Sequence, residues 1–276
     1  MTSPTDETAP DAAGGVPPGA ALVTGAGRRI GRAIARDLGR AGWDVALHCM
    51  TSVEGAEETA AEIRALGRRA AVLRADLLDE TDAAALVPRA AEALGGPLSL
   101  LVNNASIFEH DTLASATRES WDRHMGSNLR APFVLTQAFA AQAPEAATDA
   151  EGFPRATACV VNMIDQRVWK PTPEFMTYSL AKAALWAFTR TAAQGLAPGI
   201  RVNGIGPGPT LQGDRQSRAH FDGQRRAVLL ERGASTAEVC AALRWILASD
   251  SLTGQMLALD GGQHLGWRTP DVQGIE

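Results

Sequence analysis

The chain has a single tyrosine, Tyr178, among 276 residues, and only two of its 26 basic residues are lysines, Lys170 and Lys182. Arginine serves wherever a positive charge is enough. A lysine kept against that background marks a need for a compact amine that can lose its proton, which arginine does not do. Cysteine is scarce too. Cys49, Cys159 and Cys240 are odd in number and lack metal-ligand spacing, which excludes a disulfide framework and a zinc site and fits a reducing compartment. No apolar run nears the roughly 20 residues of a bilayer span, and no basic-then-apolar leader opens the sequence, so a cytoplasmic protein without membrane contact is expected. The formal net charge is −5. No basic stripe is available to neutralise nucleic-acid phosphates, and nucleic acid is not expected as a partner.

Hydrophobic residues make up 45% and charged residues 21%, a composition that buries a sizeable core. Residues 1–18 are rich in Pro, Gly, Ala, Thr and Asp without apolar periodicity and read as a disordered acidic extension, and residues 269–276 as a C-terminal tail. Across residues 19–268, short apolar runs alternate with segments of helical period, the pattern of βαβ units. Strands are expected at Ala20 to Thr24, Val45 to Cys49, Ala70 to Arg74, Leu98 to Asn103, Ala158 to Met163, Arg201 to Ile205 and Gln255 to Leu259. Helices are expected from Ile30 through Leu38, and at about Val53 to Leu66, Glu80 to Leu94, Thr117 to Gln142, Phe175 to Leu196 and Thr236 to Ala248. The fold class is α/β: one domain with a Rossmann-like, doubly wound, seven-stranded parallel sheet. Pro144 to Pro154 reads as an exposed loop. Pro207 to Gly233 is a long polar segment of the kind that covers a site.

Thr24-Gly25-Ala26-Gly27-Arg28-Arg29-Ile30-Gly31 joins the first strand to the first helix. A strand, a glycine turn and a helix start present backbone N–H groups to a pyrophosphate, and side chains there would hold the phosphates away. Dinucleotide sites that prefer NAD carry an acid about 20 residues further on. Here the second strand runs into His48, Cys49, Met50, Thr51 and Ser52, with no acid before Glu54. Arg28 and Arg29 supply positive charge and Ser52 a hydroxyl, so NADP(H) is the expected cofactor. Asp76 and Leu77 follow the third strand, and Asn104, Ala105 and Ser106 follow the fourth. His48 and Ile30 complete the cofactor set on this end.

Tyr178 and Lys182 stand four residues apart on an expected helix and share a face. A phenol near pKa 10 is a poor base at neutral pH, and the ammonium is expected to lower it. Asp165 ends the fifth strand, 13 residues before Tyr178. Pro132 in the preceding helix deprives the Asn128 carbonyl of its partner, leaving it able to hold a water that passes protons.

Taken together, these segments closely resemble the short-chain dehydrogenase/reductase family. The motifs are Thr24-Gly25 with Gly31, Asn103-Asn104-Ala105, Asn128, Tyr178-x-x-x-Lys182, Pro207-Gly208 and Asp260-Gly261-Gly262. The resemblance implies that Tyr178 exchanges the proton, Lys182 lowers its pKa and holds the nicotinamide ribose, Asn128 positions a relay water, and Thr210 holds the carboxamide beside Pro207 and Gly208. The family commonly forms tetramers, so a homotetramer is expected. Two departures stand out: Asp165 replaces a serine, and Arg29 replaces the middle glycine of the turn. Both occur in the pteridine reductase branch, which the chain also resembles in residues 103–108 and 162–165. That branch implies Phe108 stacking on a pterin, Arg29 reaching phosphate and pterin, Ser106 orienting cofactor or pterin, and Asp165 working with Tyr178. A carboxylate also repels a growing alkoxide, which disfavours a ketone and suits a substrate protonated at nitrogen. The expected activity is NADPH-dependent reduction of a pterin-like C=N bond. An NADPH-dependent ketone reductase or alcohol dehydrogenase of the same fold is the alternative, and a non-catalytic NADP(H)-binding sensor the alternative of another class. Residues 166–171 and 263–268 depart from the pteridine reductase pattern.

Overall fold

The structure, a computed structural model, describes residues 14–213 and 216–269. In chain order the elements begin with β1 (Ala20–Val23), α1 (Arg29–Arg40), β2 (Asp44–Cys49), α2 (Val53–Ala65), β3 (Ala70–Arg74), α3 (Glu80–Leu94) and β4 (Leu100–Asn103). Next come α4 (Arg118–Met125), a π-helical turn (Gly126–Arg130), α5 (Ala131–Ala140), the short strands β5 (Ala147–Thr148) and β6 (Pro154–Arg155), and β7 (Ala158–Met163). A 3-10 turn (Gln166–Val168), α6 (Met176–Leu196), β8 (Ile200–Pro207), α7 (Arg218–Arg226), α8 (Thr236–Ala248), β9 (Met256–Leu259) and a 3-10 turn (Gln263–Leu265) complete the chain.

Seven strands form one parallel sheet in the order β3-β2-β1-β4-β7-β8-β9. Every residue of β1, β2, β4 and β7 is buried, as expected for parallel strands covered on both faces, whose sequences are near-continuous apolar runs. One face packs on Ile34 and Leu38 of α1, Ile63 of α2 and Leu243 of α8. The other packs on Leu86 and Leu94 of α3, Leu135 and Phe139 of α5 and Ala193 of α6. Helix ends follow local chemistry: Asp79 caps α3, a Ser235–Glu238 capping box starts α8, and Gly95 ends α3 in the left-handed region. Strand order reverses between β1 and β4, which opens a crevice at the carboxyl ends of the strands.

Four sequence expectations need correction. The helix expected over Thr117 to Gln142 is two helices joined by the π-turn, where the Ala131 amide bonds the Gly126 carbonyl. Pro132, at the start of α5, cannot donate, and the ladder shifts by one residue before it. Pro144 to Pro154 is not all loop: β5 and β6 pair antiparallel. Within Pro207 to Gly233, the segment read as irregular contains α7. The extension does not run free to Pro18, since Val16 is buried and donates to the Leu247 carbonyl at 2.9 Å, and the Gly15 amide donates to Asp250 at 2.7 Å. Residues 1–13 and 270–276 lie outside the described residues.

β8 carries the chain to Pro207 and is held by Arg201. This buried guanidinium donates to the carbonyls of Ile246 at 2.8 Å, Leu247 at 3.0 Å and Leu252 at 3.1 Å, which close α8 and the turn after it. Arg201→Met removes three charge-assisted bonds, although Ser249, Val16 and Asn203 still donate to the same carbonyls, and is expected to lower the unfolding free energy by about 2 kcal/mol. A urea midpoint that falls at unchanged m-value is the readout.

Candidate active site

The turn after β1 is built so tightly that side chains are shut out. A Cβ on Gly31 would lie 2.2 Å from the Gly25 carbonyl, one on Gly27 would lie 2.3 Å from the Ser52 carbonyl, and Gly25 has φ +64 against Ala105. The Thr24 hydroxyl accepts from the amides of Asn104 and Ala105, both at 2.9 Å, and Asn104 Nδ2 donates to the Thr24 carbonyl at 2.8 Å. The first helical bond of α1 runs from Arg32 to the Arg28 carbonyl. The amides of Arg29, Ile30 and Gly31 precede it and find no acceptor within the helix, an arrangement able to hold an anion.

The polar side chains expected here divide into two groups. Arg28 is exposed at the N-cap of α1, and Ser52 stands at the start of α2 beside Gly27. Asp76 accepts the Leu78 amide at 2.9 Å at the end of β3, on the same rim. His48 points inward instead. It is 2% exposed, accepts the Gly25 amide on Nδ1 and donates from Nε2 to the Ala75 carbonyl, both at 3.2 Å. Burial holds its pKa below the ordinary value, so the neutral ring braces the glycine turn from beneath and has no nitrogen left for a ligand. The side chains of Ile30 and Leu77 likewise pack into the core. Arg29 occupies the left-handed region at φ 54, which explains why glycine is common at such a position. Its guanidinium donates to the carbonyls of Leu211 at 3.2 Å and Gln212 at 2.6 Å, tying the turn to the segment beyond Thr210. Thr210 is buried and donates to the Gly208 carbonyl at 3.1 Å.

At the other side of the crevice, α6 brings Tyr178 and Lys182 onto one buried face. The Tyr178 hydroxyl donates to Asp165 Oδ2 at 2.8 Å, and the Arg167 amide donates to Asp165 Oδ1 at 2.9 Å. Lys182 Nζ lies 5.8 Å from the centre of the Tyr178 ring and donates to the Met163 carbonyl at 2.7 Å. These distances correct the expected electrostatics. Burial first, then the charge and hydrogen bond of Asp165, push the phenol well above its ordinary value; the Lys182 ammonium does not bring it down. Burial also raises the Asp165 carboxyl and depresses the Lys182 amine to about 8. Tyr178 is therefore a protonated phenol at neutral pH, an acid held in place, and not a standing phenolate.

The loop after β4 closes the site. Asn128, fully buried in the π-turn, accepts the Ile107 amide at 2.9 Å and donates to the Ile107 carbonyl at 2.8 Å, which pins the residues on either side. Ser106 is exposed next to it. Phe108 meets Tyr178 edge-on at 4.7 Å and stacks on Phe175 at 4.2 Å with 7° between planes. The Arg167 guanidinium sits 5.1 Å over the other ring of that stack, Phe175. Sequence reading missed Phe175 and Arg167. An aromatic residue placed directly before a helix that lacks its own capping side chain was the available signal.

Residues 19–221 match the model of the short chain dehydrogenase family. The chain belongs to that family of oxidoreductases. Among curated relatives, it is 32% identical to a granaticin polyketide synthase putative ketoacyl reductase 2 from Streptomyces violaceoruber, covering 89% of this chain and 96% of that one. It is 31% identical to pteridine reductase 1 from Leishmania tarentolae over the same shares of the two chains. Among solved structures, it resembles FolM alternative dihydrofolate reductase 1 from Brucella canis, complexed with NADP, with a TM-score of 0.86, 44% identity, and coverage of 94% of this chain and 98% of that one.

Lys182 yields a prediction of its own. Its depression from 10.5 to about 8 means that the unfolded chain binds the proton more tightly between those two values, so this group's contribution to stability rises with pH across that window. Below about pH 8 the buried ammonium costs on the order of 3 kcal/mol. Lys182→Met should therefore be more stable than the wild type at pH 7, by a margin that narrows as pH climbs towards 10, measured by urea unfolding at each pH.

Proposed function

We propose that this protein is an NADPH-dependent reductase of a pterin-like C=N bond. The observation that carries the proposal is the 2.8 Å hydrogen bond from the Tyr178 phenol to the buried Asp165, in the position where a hydroxyl would assist a ketone. The FolM and pteridine reductase relatives agree with it, and the FolM structure was complexed with NADP.

The residues on the cofactor side fit a phosphorylated dinucleotide. The glycine cradle admits backbone approach, the amides at the start of α1 would hold a pyrophosphate, and Arg28 and Ser52 would hold a 2′-phosphate with no acid to repel it. Asp76 would accept from the adenine amino group, Lys182 would reach the nicotinamide ribose, and Thr210 with Pro207 and Gly208 would face the carboxamide. When bound, NADPH supplies the hydride. Tyr178 would give its proton to the nitrogen of the C=N bond as that bond is reduced. The phenolate left behind is favoured by the charge of Arg167. Asp165 accepts N–H groups of the heterocycle, whereas a ketone oxygen gaining negative charge would meet a carboxylate. Phe108, covered on one face by Phe175, would offer its other face to the flat ring. The Asn128 carbonyl, within the π-turn, would hold the water that returns a proton to Lys182.

No helix among the described residues is long and apolar enough to cross a membrane. A cytoplasmic location fits the three unpaired, buried cysteines. The grooves beside α4, α5 and α6, lined by Met125, Leu129, Phe133 and Phe188, support a homotetramer assembled through these helices.

Dihydropterins, dihydrofolate and simple ketones, each incubated with NADPH and followed by loss of its absorbance, test the proposal. Turnover of the pterins or dihydrofolate is expected, with Tyr178→Phe lowering kcat by about 10²-fold or more. Turnover of ketones alone would overturn it and favour the activity named for the ketoacyl reductase relative.

A further inference from the structure

Two titratable side chains beside the catalytic pair are buried and take no part in its chemistry: Asp111 at 3% exposure and His124 at 0%. They meet at the N-terminus of α6. That helix starts without a cap of its own, because the preceding residue is Phe175 at φ 58 and offers no acceptor. Asp111, from the loop after β4, supplies the cap from a distance. Its Oδ1 accepts the Thr177 amide at 3.1 Å, its Oδ2 accepts the Thr177 hydroxyl at 2.5 Å and the Ser120 hydroxyl at 3.0 Å, and its carbonyl accepts the Met176 amide at 3.2 Å. A carboxylate is favoured at a helix start, where free amides and the positive end of the dipole meet it.

The hydrogens in this cluster run one way. His124 Nε2 accepts the Glu109 amide at 3.1 Å, so the proton of the neutral ring is on Nδ1 and is donated to the Thr177 hydroxyl at 2.7 Å. Thr177 has one hydroxyl proton, and Asp111 takes it. Burial lowers the His124 pKa against the pull of Asp111 and Glu109 and with the push of Arg123, which keeps the ring neutral. For Asp111, burial alone would raise the carboxyl, but the bonds from Thr177 and Ser120 outweigh it and hold the group ionised. The chain Glu109 to His124 to Thr177 to Asp111 is thus closed and directional. It joins three segments that build the site: the loop bearing Phe108, the helix leading into the Asn128 turn, and the residue immediately before Tyr178. The His124 ring also lies edge-on to Tyr178 at 6.1 Å.

We infer that Asp111, Thr177 and His124 are positioning residues that hold the Tyr178 phenol against Asp165 and Phe108 beside it, and so govern proton donation through Tyr178. The inference rests on the reading of Tyr178 as the proton donor. Loosening the chain lets the phenol leave the carboxylate and meet water, which returns its pKa towards the ordinary value.

Because the chain has one tyrosine, the near-ultraviolet absorbance of phenolate reports Tyr178 alone, in protein without cofactor or substrate. Thr177→Val removes the hydroxyl while keeping the branched shape and the amide; Thr177→Ser restores the hydroxyl. The expected result for Thr177→Val is a phenol titration moved down towards the ordinary value. With it comes a kcat lowered about tenfold, while KM for substrate and Kd for NADPH change less than about twofold; Thr177→Ser recovers both the titration and kcat. Should Thr177→Val fail to fold, Asp111→Asn, which keeps the size of the side chain and withdraws its charge, is expected to move the titration in the same direction. A Thr177→Val protein that folds and titrates with the wild type, or a Thr177→Ser protein that does not recover, overturns the inference. If no pterin is turned over, the substrate reading fails while the titration still decides this one.

Discussion

A phenol and a carboxylate held together out of water govern this molecule. The contact between Tyr178 and Asp165, at 2.8 Å, makes the phenol reluctant to ionise while burial, against the bond the phenol donates, does the same to the carboxyl, in a place where the sheet, the long helix α6 and the loop after β4 converge. A buried pair of this kind is costly unless every lone pair and proton is used. Here the Arg167 amide takes the second carboxylate oxygen and Lys182 is anchored on the Met163 carbonyl. The surrounding structure keeps these partners in register.

The scaffold accomplishes this by dividing labour between the two rims of one crevice. On one rim the backbone is left bare by glycines, which Thr24, Asn104 and the inward-facing His48 brace. On the other rim buried polar side chains face the crevice, and each is held from outside its own element: Tyr178 by Asp165, the start of α6 by Asp111, and the Phe108 loop by Asn128. Arg29 crosses between the rims by reaching the carbonyls of Leu211 and Gln212.

Much of this was legible in the sequence because parallel strands buried on both faces write themselves as apolar runs, and because a lone tyrosine with one of two lysines a helical turn away is hard to obtain by chance. Strand and helix bounds at Ala70–Arg74, Glu80–Leu94, Ala158–Met163 and Thr236–Ala248 match the expectation. Helix α7 was not legible, since Arg218–Arg226 has a polar sequence with one buried residue, Phe221. The role of His48 was hidden because burial depends on the β2–β3 pairing above it, not on its neighbours in sequence. The sign of the Tyr178 shift was also hidden. Spacing shows which groups are near but not that a carboxylate touches the phenol while the ammonium stands 5.8 Å from its ring.

Comparing wild type with Asp165→Asn by alkaline titration of phenolate absorbance tests the central claim most directly, again with no signal from any other tyrosine. The account predicts that wild-type Tyr178 ionises well above the ordinary phenol value and that the substitution brings it down. A wild-type phenol that ionises at or below the ordinary value, unmoved by Asp165→Asn, would contradict it.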